Sequence, residues 1–209
     1  MNLFYYFVQT VFSIAGSLWF RLDVVGMENL PREGGLLVVC NHASNLDPPV
    51  VGCKLPREGH FLAKEELFHG LFGKICSALN AHPINRAGMD RKALRTCTDV
   101  LKSGGMLVIF PEGTRTRDGE LQPAKSGAAM IAAQAGVPIC PLYIDGTFNA
   151  LPRGVSFPRR VKVRLHIGKP FSPQDALGDS ENKRGKYEAL SDAMMAHIAE
   201  LKNAIVKSS

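Results

Sequence analysis

The chain has 209 residues, 45% of them apolar, and a formal net charge of +6 at pH 7. That length and apolar share suit one large α/β domain with a sizeable core, and the chain holds no internal repeat or low-complexity tract. The excess of Lys and Arg favours an anionic partner, and charge alone does not choose among nucleic acid, a phosphate-bearing substrate and an acidic membrane surface.

Residues 1–20, MNLFYYFVQTVFSIAGSLWF, carry no charged side chain, and Arg21 ends the run. The stretch lacks the basic start and the small-residue cleavage site of a secretory signal. As a helix it extends about 30 Å, close to the hydrocarbon thickness of a bilayer. Gln9, Ser13, Gly16 and Ser17 then make a narrow, weakly polar stripe beside a broad apolar and aromatic face. That pattern suits a helix lying in a membrane interface, while the length equally permits a spanning helix or an ordinary buried one. Residues 1–20 are expected as a membrane-associating apolar helix and residues 21–209 as the folded domain.

From residue 21 short apolar runs alternate with helical patterns, the signature of a layered α/β domain. Strands are expected near 22–26, 35–41, 59–63, 106–110, 139–144 and 160–167, and helices near 48–54, 65–79, 90–103, 125–135 and 182–206. Gly104-Gly105 and Gly136 supply helix stops, and Asp47 before Pro48 reads as an N-cap. In 160–167, Val161, Val163, Leu165 and Ile167 alternate with Lys162, Arg164 and His166, so one face is buried and the other wet, near a sheet edge. The Pro- and Gly-rich stretch 146–160 reads as a surface loop. The five cysteines, Cys40, Cys53, Cys76, Cys97 and Cys140, have no CxxC spacing and sit mostly in apolar runs. They fit small core residues in a reduced, cytosolic compartment better than a metal or redox site.

In NHASNLDP, 41–48, His42 and Asp47 cannot share a helix face, because five residues advance a helix by about 500°. A loop that folds back from an Asp47 cap brings the carboxylate to His42, fixing the imidazole tautomer and leaving the second nitrogen as a base. The alternative is a strand end and a plain helix cap. FPEGTRTRDG, 110–119, also follows an apolar strand: Gly113 permits close backbone approach, Arg115 and Arg117 offer forked donors to phosphate, and Glu112 can orient an arginine. A solvated charged turn is the alternative. Arg86 in HPINRAG and Lys64 after HFLA add cations at strand ends. GELQPAKS, 119–126, approximates a nucleotide-binding P-loop but has Ala124 for the second glycine and Pro123 where a backbone donor is needed. Lys125 there sits at a helix start and adds to an anion site. There is no GxSxG elbow, nothing sets up Ser44 as a nucleophile, and no aromatic-interleaved basic platform for nucleic acid is present.

Taken in order, NHASNLD (41–47), PINRAG (83–88), FPEGTR (110–115) and VPICPLYI (137–144) resemble the four blocks of the glycerolipid acyltransferase family, over roughly residues 21–170. The type they resemble is the bacterial one that acylates 1-acylglycerol-3-phosphate. The resemblance implies a glycerol-3-phosphate acyltransferase-like fold, a layered mixed sheet flanked by helices. It implies His42 as general base and Asp47 as its orienting partner, with Glu112, Gly113, Thr114 and Arg115 binding the acceptor phosphate, helped by Arg86 and Lys64. Pro138 and Pro141 are linked to the acyl donor or to shaping the site. The reaction implied moves a fatty acyl group from acyl-CoA or acyl carrier protein to the sn-2 hydroxyl of lysophosphatidate, without a metal or cofactor, at the cytoplasmic face of the cell membrane. Another lysophospholipid or glycerol-3-phosphate is an alternative acceptor. A catalytically silent lipid-binding protein is the alternative of another class, against which the presence of both His42 and Asp47 argues.

Overall fold

The computed structural model describes residues 2–84, 91–177 and 182–207. Helix α1 (Leu3–Phe20) leads into β1 (Asp23–Val25), β2 (Leu36–Cys40), α2 (Asp47–Gly52), β3 (Gly59–Lys64), α3 (Gly70–Ala78) and β4 (Ala81–Ile84). After them come α4 (Arg91–Lys102), β5 (Met106–Ile109), α5 (Ser126–Ala135), β6 (Ile139–Asp145), α6 (Thr147–Ala150), β7 (Arg164–Ile167), α7 (Pro173–Leu177) and α8 (Lys183–Lys207). Among the described residues the strands form one sheet in the order β1-β7-β6-β2-β5-β3-β4. Every neighbouring pair is parallel except β6 and β7, so the sheet is mixed and helices cover it, as expected from the sequence.

Central strands β2 and β5 are buried at every position, the pattern of strands covered on both faces. Alternate residues serve opposite layers. Leu36, Val38, Cys40, Met106 and Val108 join one core with Val50, Val51 and Phe20, whereas Leu37, Val39, Leu107 and Ile109 join a second core with Ile131, Leu190 and Met194. A one-residue slip of register would exchange the two sets, so the pairing Val38 with Val108 and with Cys140 is strongly specified.

Several elements depart from the sequence expectation: the stretch 146–160, expected as a surface loop, opens with helix α6, whose Thr147 and Ala150 are buried, and α7 has no counterpart among the expected helices. The run 65–79 is a 3₁₀ turn (Glu65–Phe68) followed by α3, because Gly70 adopts φ +60°, outside helical backbone. AHPI forms the edge strand β4, where Pro83 is tolerated because a ladder donor is not needed on the outer side. The strand expected over 160–167 shortens to β7, since Val163 bonds instead to the α1–β1 turn, donating to Phe20 O and accepting from Asp23 N. Its buried and half-exposed alternation over Arg164–Ile167 is as expected, with β1 on its outer side.

The polar stripe of α1 faces the domain. Gln9 Nε2 donates to the carbonyls of Gly52 (3.1 Å) and Leu55 (2.8 Å), and Lys54 Nζ donates to Ser13 Oγ (2.8 Å) and Ser17 Oγ (3.3 Å). Phe4, Phe7, Val11, Phe12, Leu18 and Trp19 stay exposed on the other side. The helix is long and apolar enough to cross a membrane, and Gln9, Ser13 and Ser17 bond it to the domain along one side.

Candidate active site

The segments leaving the C-terminal ends of the parallel strands β2 and β5 hold His42, Asp47 and Glu112, at the usual position of sites in open α/β sheets. Asn41 continues β2 with its side chain: Nδ2 donates to Ile144 O (3.0 Å) and Oδ1 accepts from Ile144 N (2.8 Å). This amide reproduces one rung of ladder to β6 and fixes the backbone from which His42 projects. The imidazole stacks on Phe110, with ring centroids 4.2 Å apart and planes at 21°.

His42 Nδ1 lies 2.8 Å from Asp47 Oδ2. The same oxygen accepts the backbone N–H groups of Ala43 (2.7 Å) and Ser44 (2.7 Å), so the loop closes around one fully buried carboxylate. The dyad thus forms, but by a route different from the expected cap. Asp47 is the first residue of α2 rather than its cap, and Leu46 holds the cap position without a side-chain bond. The next two positions are Pro48 and Pro49, which have no N–H to cap, and this leaves the carboxylate to the loop behind it. With an ionised carboxylate on Nδ1, the proton resides there and Nε2 keeps its lone pair. The His42 side chain retains 18% of its exposure, against 0% for Asp47. Ser44 is buried with its hydroxyl donating to Leu151 O, which suits no nucleophile.

Glu112 is placed differently from the expected arginine-orienting, phosphate-binding role. It is buried, and its Oε1 accepts His42 N (2.9 Å) while Oε2 accepts Gln122 N (3.3 Å). Burial pushes its carboxyl up from 4.5 to about 7, against the lowering effect of those two backbone bonds. The residue therefore pins the histidine loop to the loop after β5. Thr116 N completes that clasp by donating to His42 O (2.8 Å), so Arg115 and Arg117 flank a residue bonded to the backbone of His42.

Gly113 takes φ +66°, a left-handed turn closed by its N–H on Phe110 O (2.9 Å). Its lack of a Cβ lets the Lys125 side chain lie across it: a Cβ there would come within 2.9 Å of Lys125 Cδ. Thr114 is exposed, and its hydroxyl accepts from Arg153 Nη2 (3.3 Å). Arg153 also donates to the carbonyl of Arg115. Arg115, Arg117, Lys125 and Lys64 have no carboxylate partner among the described residues. Lys64 closes β3 on the same rim as His42, whereas Arg86 lies outside the described residues. Pro138 and Pro141 are not gathered at the rim. Pro138 is exposed at the start of β6, the opposite end of the strand, and Pro141 is buried in mid-sheet against Gly168. A cavity of about 500 Å³ opens beside the 41–43 segment, lined by Asn41, Ala43, Tyr143, Asp145, Phe148 and Arg164 among others, and does not include His42.

Three contributors escaped the sequence reading: Asn41, Phe110 and the clasping role of Glu112. Asn41 had a signal, an amide at the last buried position of a parallel strand, where an apolar residue would be usual. Among the described residues no group of three or more His, Cys, Asp or Glu side chains is arranged to hold a metal.

A family model described as Acyltransferase matches residues 21–145. The chain is also 30% identical over 203 residues to a 1-acyl-sn-glycerol-3-phosphate acyltransferase of Bacillus subtilis, covering 96% of this chain and 98% of that one. The chain belongs to the acyltransferase family. This acyltransferase is 34% identical to the chloroplastic 1-acyl-sn-glycerol-3-phosphate acyltransferase BAT2 of Brassica napus over 87% of its own length, and spans 55% of that longer relative. The crystal structure of the 1-acyl-sn-glycerophosphate acyltransferase PlsC from Thermotoga maritima matches with a TM-score of 0.75 and 30% identity, covering 93% of this acyltransferase and 78% of PlsC. The resemblance read from the four sequence blocks is borne out.

Proposed function

We infer that the protein transfers a fatty acyl group from a thioester to the sn-2 hydroxyl of 1-acylglycerol-3-phosphate, forming phosphatidate. The observation that carries this reading is the His42–Asp47 contact of 2.8 Å with Nε2 left free. Nε2 takes the proton of the acceptor hydroxyl as its oxygen attacks the thioester carbonyl. Asp47, on Nδ1, stabilises the imidazolium that forms. The tetrahedral intermediate expels the thiolate, which takes the proton back from His42, so no acyl-enzyme is needed. Arg115, Arg117, Lys125 and Lys64 supply the positive rim for the acceptor's phosphomonoester, with Arg86 as a further candidate. Holding that phosphate aims the hydroxyl at the thioester, and such positioning is a large part of the available rate gain. Acyl-CoA and acyl carrier protein both fit as donors.

The acceptor and product are amphiphiles, and the exposed apolar side of α1 suits a bilayer surface. Leu71 and Phe72 on α3 are exposed as well, and Asn2 Nδ2 bonds Ala78 O (2.8 Å), which sets the two helices end to end. In this reading α1 lies in the cytoplasmic leaflet with its polar stripe bonded to the domain.

The test is turnover of lysophosphatidate and acyl-CoA by purified protein, compared with a monoacylglycerol acceptor that lacks the phosphate. Arg115→Ala is expected to raise KM for lysophosphatidate roughly tenfold or more and to leave the poor monoacylglycerol rate unchanged. Equal losses on both acceptors would refute the phosphate contact, and failure of the unsubstituted protein to acylate lysophosphatidate would refute the acceptor assignment.

A further inference from the structure

The loop 152–160, PRGVSFPRR, has a composition that the catalytic reading does not use. Phe157 is 80% exposed at its tip, and Val155 is 36% exposed beside it. Arg153, Arg159 and Arg160 flank them along the chain, all exposed and none with a carboxylate partner among the described residues. Leaving so large an aromatic ring in water gains the fold nothing, and arginines without a carboxylate partner repel one another. The loop is nevertheless held in shape: Arg159 N donates to Ala150 O (2.7 Å) and Val155 N to Pro152 O (3.2 Å).

Its position links two features already described. Arg153 is bonded to the Thr114 hydroxyl and the Arg115 carbonyl on the catalytic rim. At the other end the chain continues to Val163, which donates to Phe20 O (3.0 Å), and Lys162 pairs with Asp23 (3.4 Å). The loop therefore stands beside the C-terminal end of α1, where Leu18 and Trp19 are exposed.

We propose that loop 152–160 is a second membrane-binding element, in which Phe157 enters the headgroup boundary of an anionic bilayer while Arg159 and Arg160 bind lipid phosphates. An apolar tip inside a cationic collar matches the layered chemistry of such an interface, apolar below and negative above. An acidic protein would satisfy the arginines but would not call for an exposed aromatic side chain on a loop whose chain runs on to bond the C-terminal end of α1 through Val163. The tether through Arg153 then makes lipid engagement and the loop carrying Arg115 one mechanical unit. The proposal rests on the reading that the protein works at a membrane surface through α1.

Trp19 is the chain's single tryptophan, so α1 and the loop can be followed separately. The full chain is mixed with phosphatidylcholine vesicles containing phosphatidylglycerol, with brominated lipid as quencher. Trp19 emission is expected to be quenched, and the indole emission of Phe157→Trp in a Trp19→Phe background is expected to be quenched too. The pair Arg159→Gln and Arg160→Gln is expected to weaken binding to these vesicles roughly 25-fold, about fivefold per arginine, and to leave turnover of detergent-dispersed substrate within about twofold. Quenching of Trp19 with none in the Phe157→Trp variant would overturn the loop proposal and leave the α1 reading standing. Unchanged vesicle affinity of the arginine pair would overturn it as well, including the case where only affinity for acyl carrier protein falls. Absence of vesicle binding by the unsubstituted chain would overturn the α1 reading and the proposal with it.

Discussion

Asp47 opens α2 yet turns its carboxylate back on the loop that precedes it, where one oxygen serves two amides and an imidazole. The histidine is thereby held by a group whose own position is set by backbone. Replacing His42 by Ala is expected to lower kcat about 10²- to 10⁴-fold with little change in KM, since it removes a base and not a binding contact. Asp47→Asn is expected to cost at least about 10²-fold, because an amide no longer fixes the tautomer or stabilises the imidazolium. Steady-state kinetics on protein of unchanged far-ultraviolet circular dichroism checks both, and wild-type rates for either variant would rule out the dyad. Glu112 gives a separate pH signature. Its folded pKa is raised to about 7 from 4.5, so the fold favours the protonated form. That contribution is complete below about 4.5 and is lost as pH rises through about 7, to an upper bound of about 3 kcal/mol. Urea midpoints between pH 5 and pH 8 should fall less steeply for Glu112→Gln than for the wild type. Parallel slopes would assign the titration elsewhere.

α1 and the loop after β5 show how elements place these side chains. Removing the Lys54 ammonium takes two hydrogen bonds from the stripe of α1, and Lys54→Ala should loosen that helix by about 1 kcal/mol. Amide exchange over residues 3–20 should quicken while β2 and β5 stay protected; uniform exchange would show that the stripe does not dock the helix. Gly113→Ala imposes a side chain on φ +66° and on the Lys125 methylenes, and is expected to destabilise by about 1–2 kcal/mol in thermal unfolding. Stability within about 0.3 kcal/mol of wild type would show that this turn relaxes freely. The buried strands and the long helices were readable from sequence because their periodicity depends on burial alone. The His42–Asp47 pairing was readable as well, because strand end, loop and helix start lie within a few residues. β4 was hidden by Pro83, a residue that argues against strands until an edge position excuses it. The roles of Asn41 and Glu112 depend on Ile144 and His42, partners 103 and 70 residues away, and no local pattern names such distant partners, even where a buried amide at the end of β2 signals that Asn41 needs one.

At the scale of the molecule, the site is a clasp between the loops that follow two adjacent parallel strands, with cations on those loops and at the end of β3. The net charge of +6 is not spread evenly: Arg115, Arg117 and Lys125 lie on or beside the loop after β5 that clasps His42, and Lys64 ends the neighbouring strand β3. Turnover of lysophosphatidate should fall as ionic strength rises, through KM rather than kcat, because exposed cations lose reach as the Debye length shortens. A salt-independent KM would place the phosphate in a buried pocket instead. α1 sets a further limit on how the protein can be handled. The Tyr5 hydroxyl accepts the N–H of Gly59 at the start of β3, Asn2 bonds Glu58 and Ala78, and Phe20 belongs to the core beneath β2. The N-terminal helix is thus a structural wall of the domain. Trimming it to obtain a water-soluble version would strip cover from β3 and open the core at Phe20, so a crystallisable fragment has to keep residues 2–20 and change their outward side chains instead.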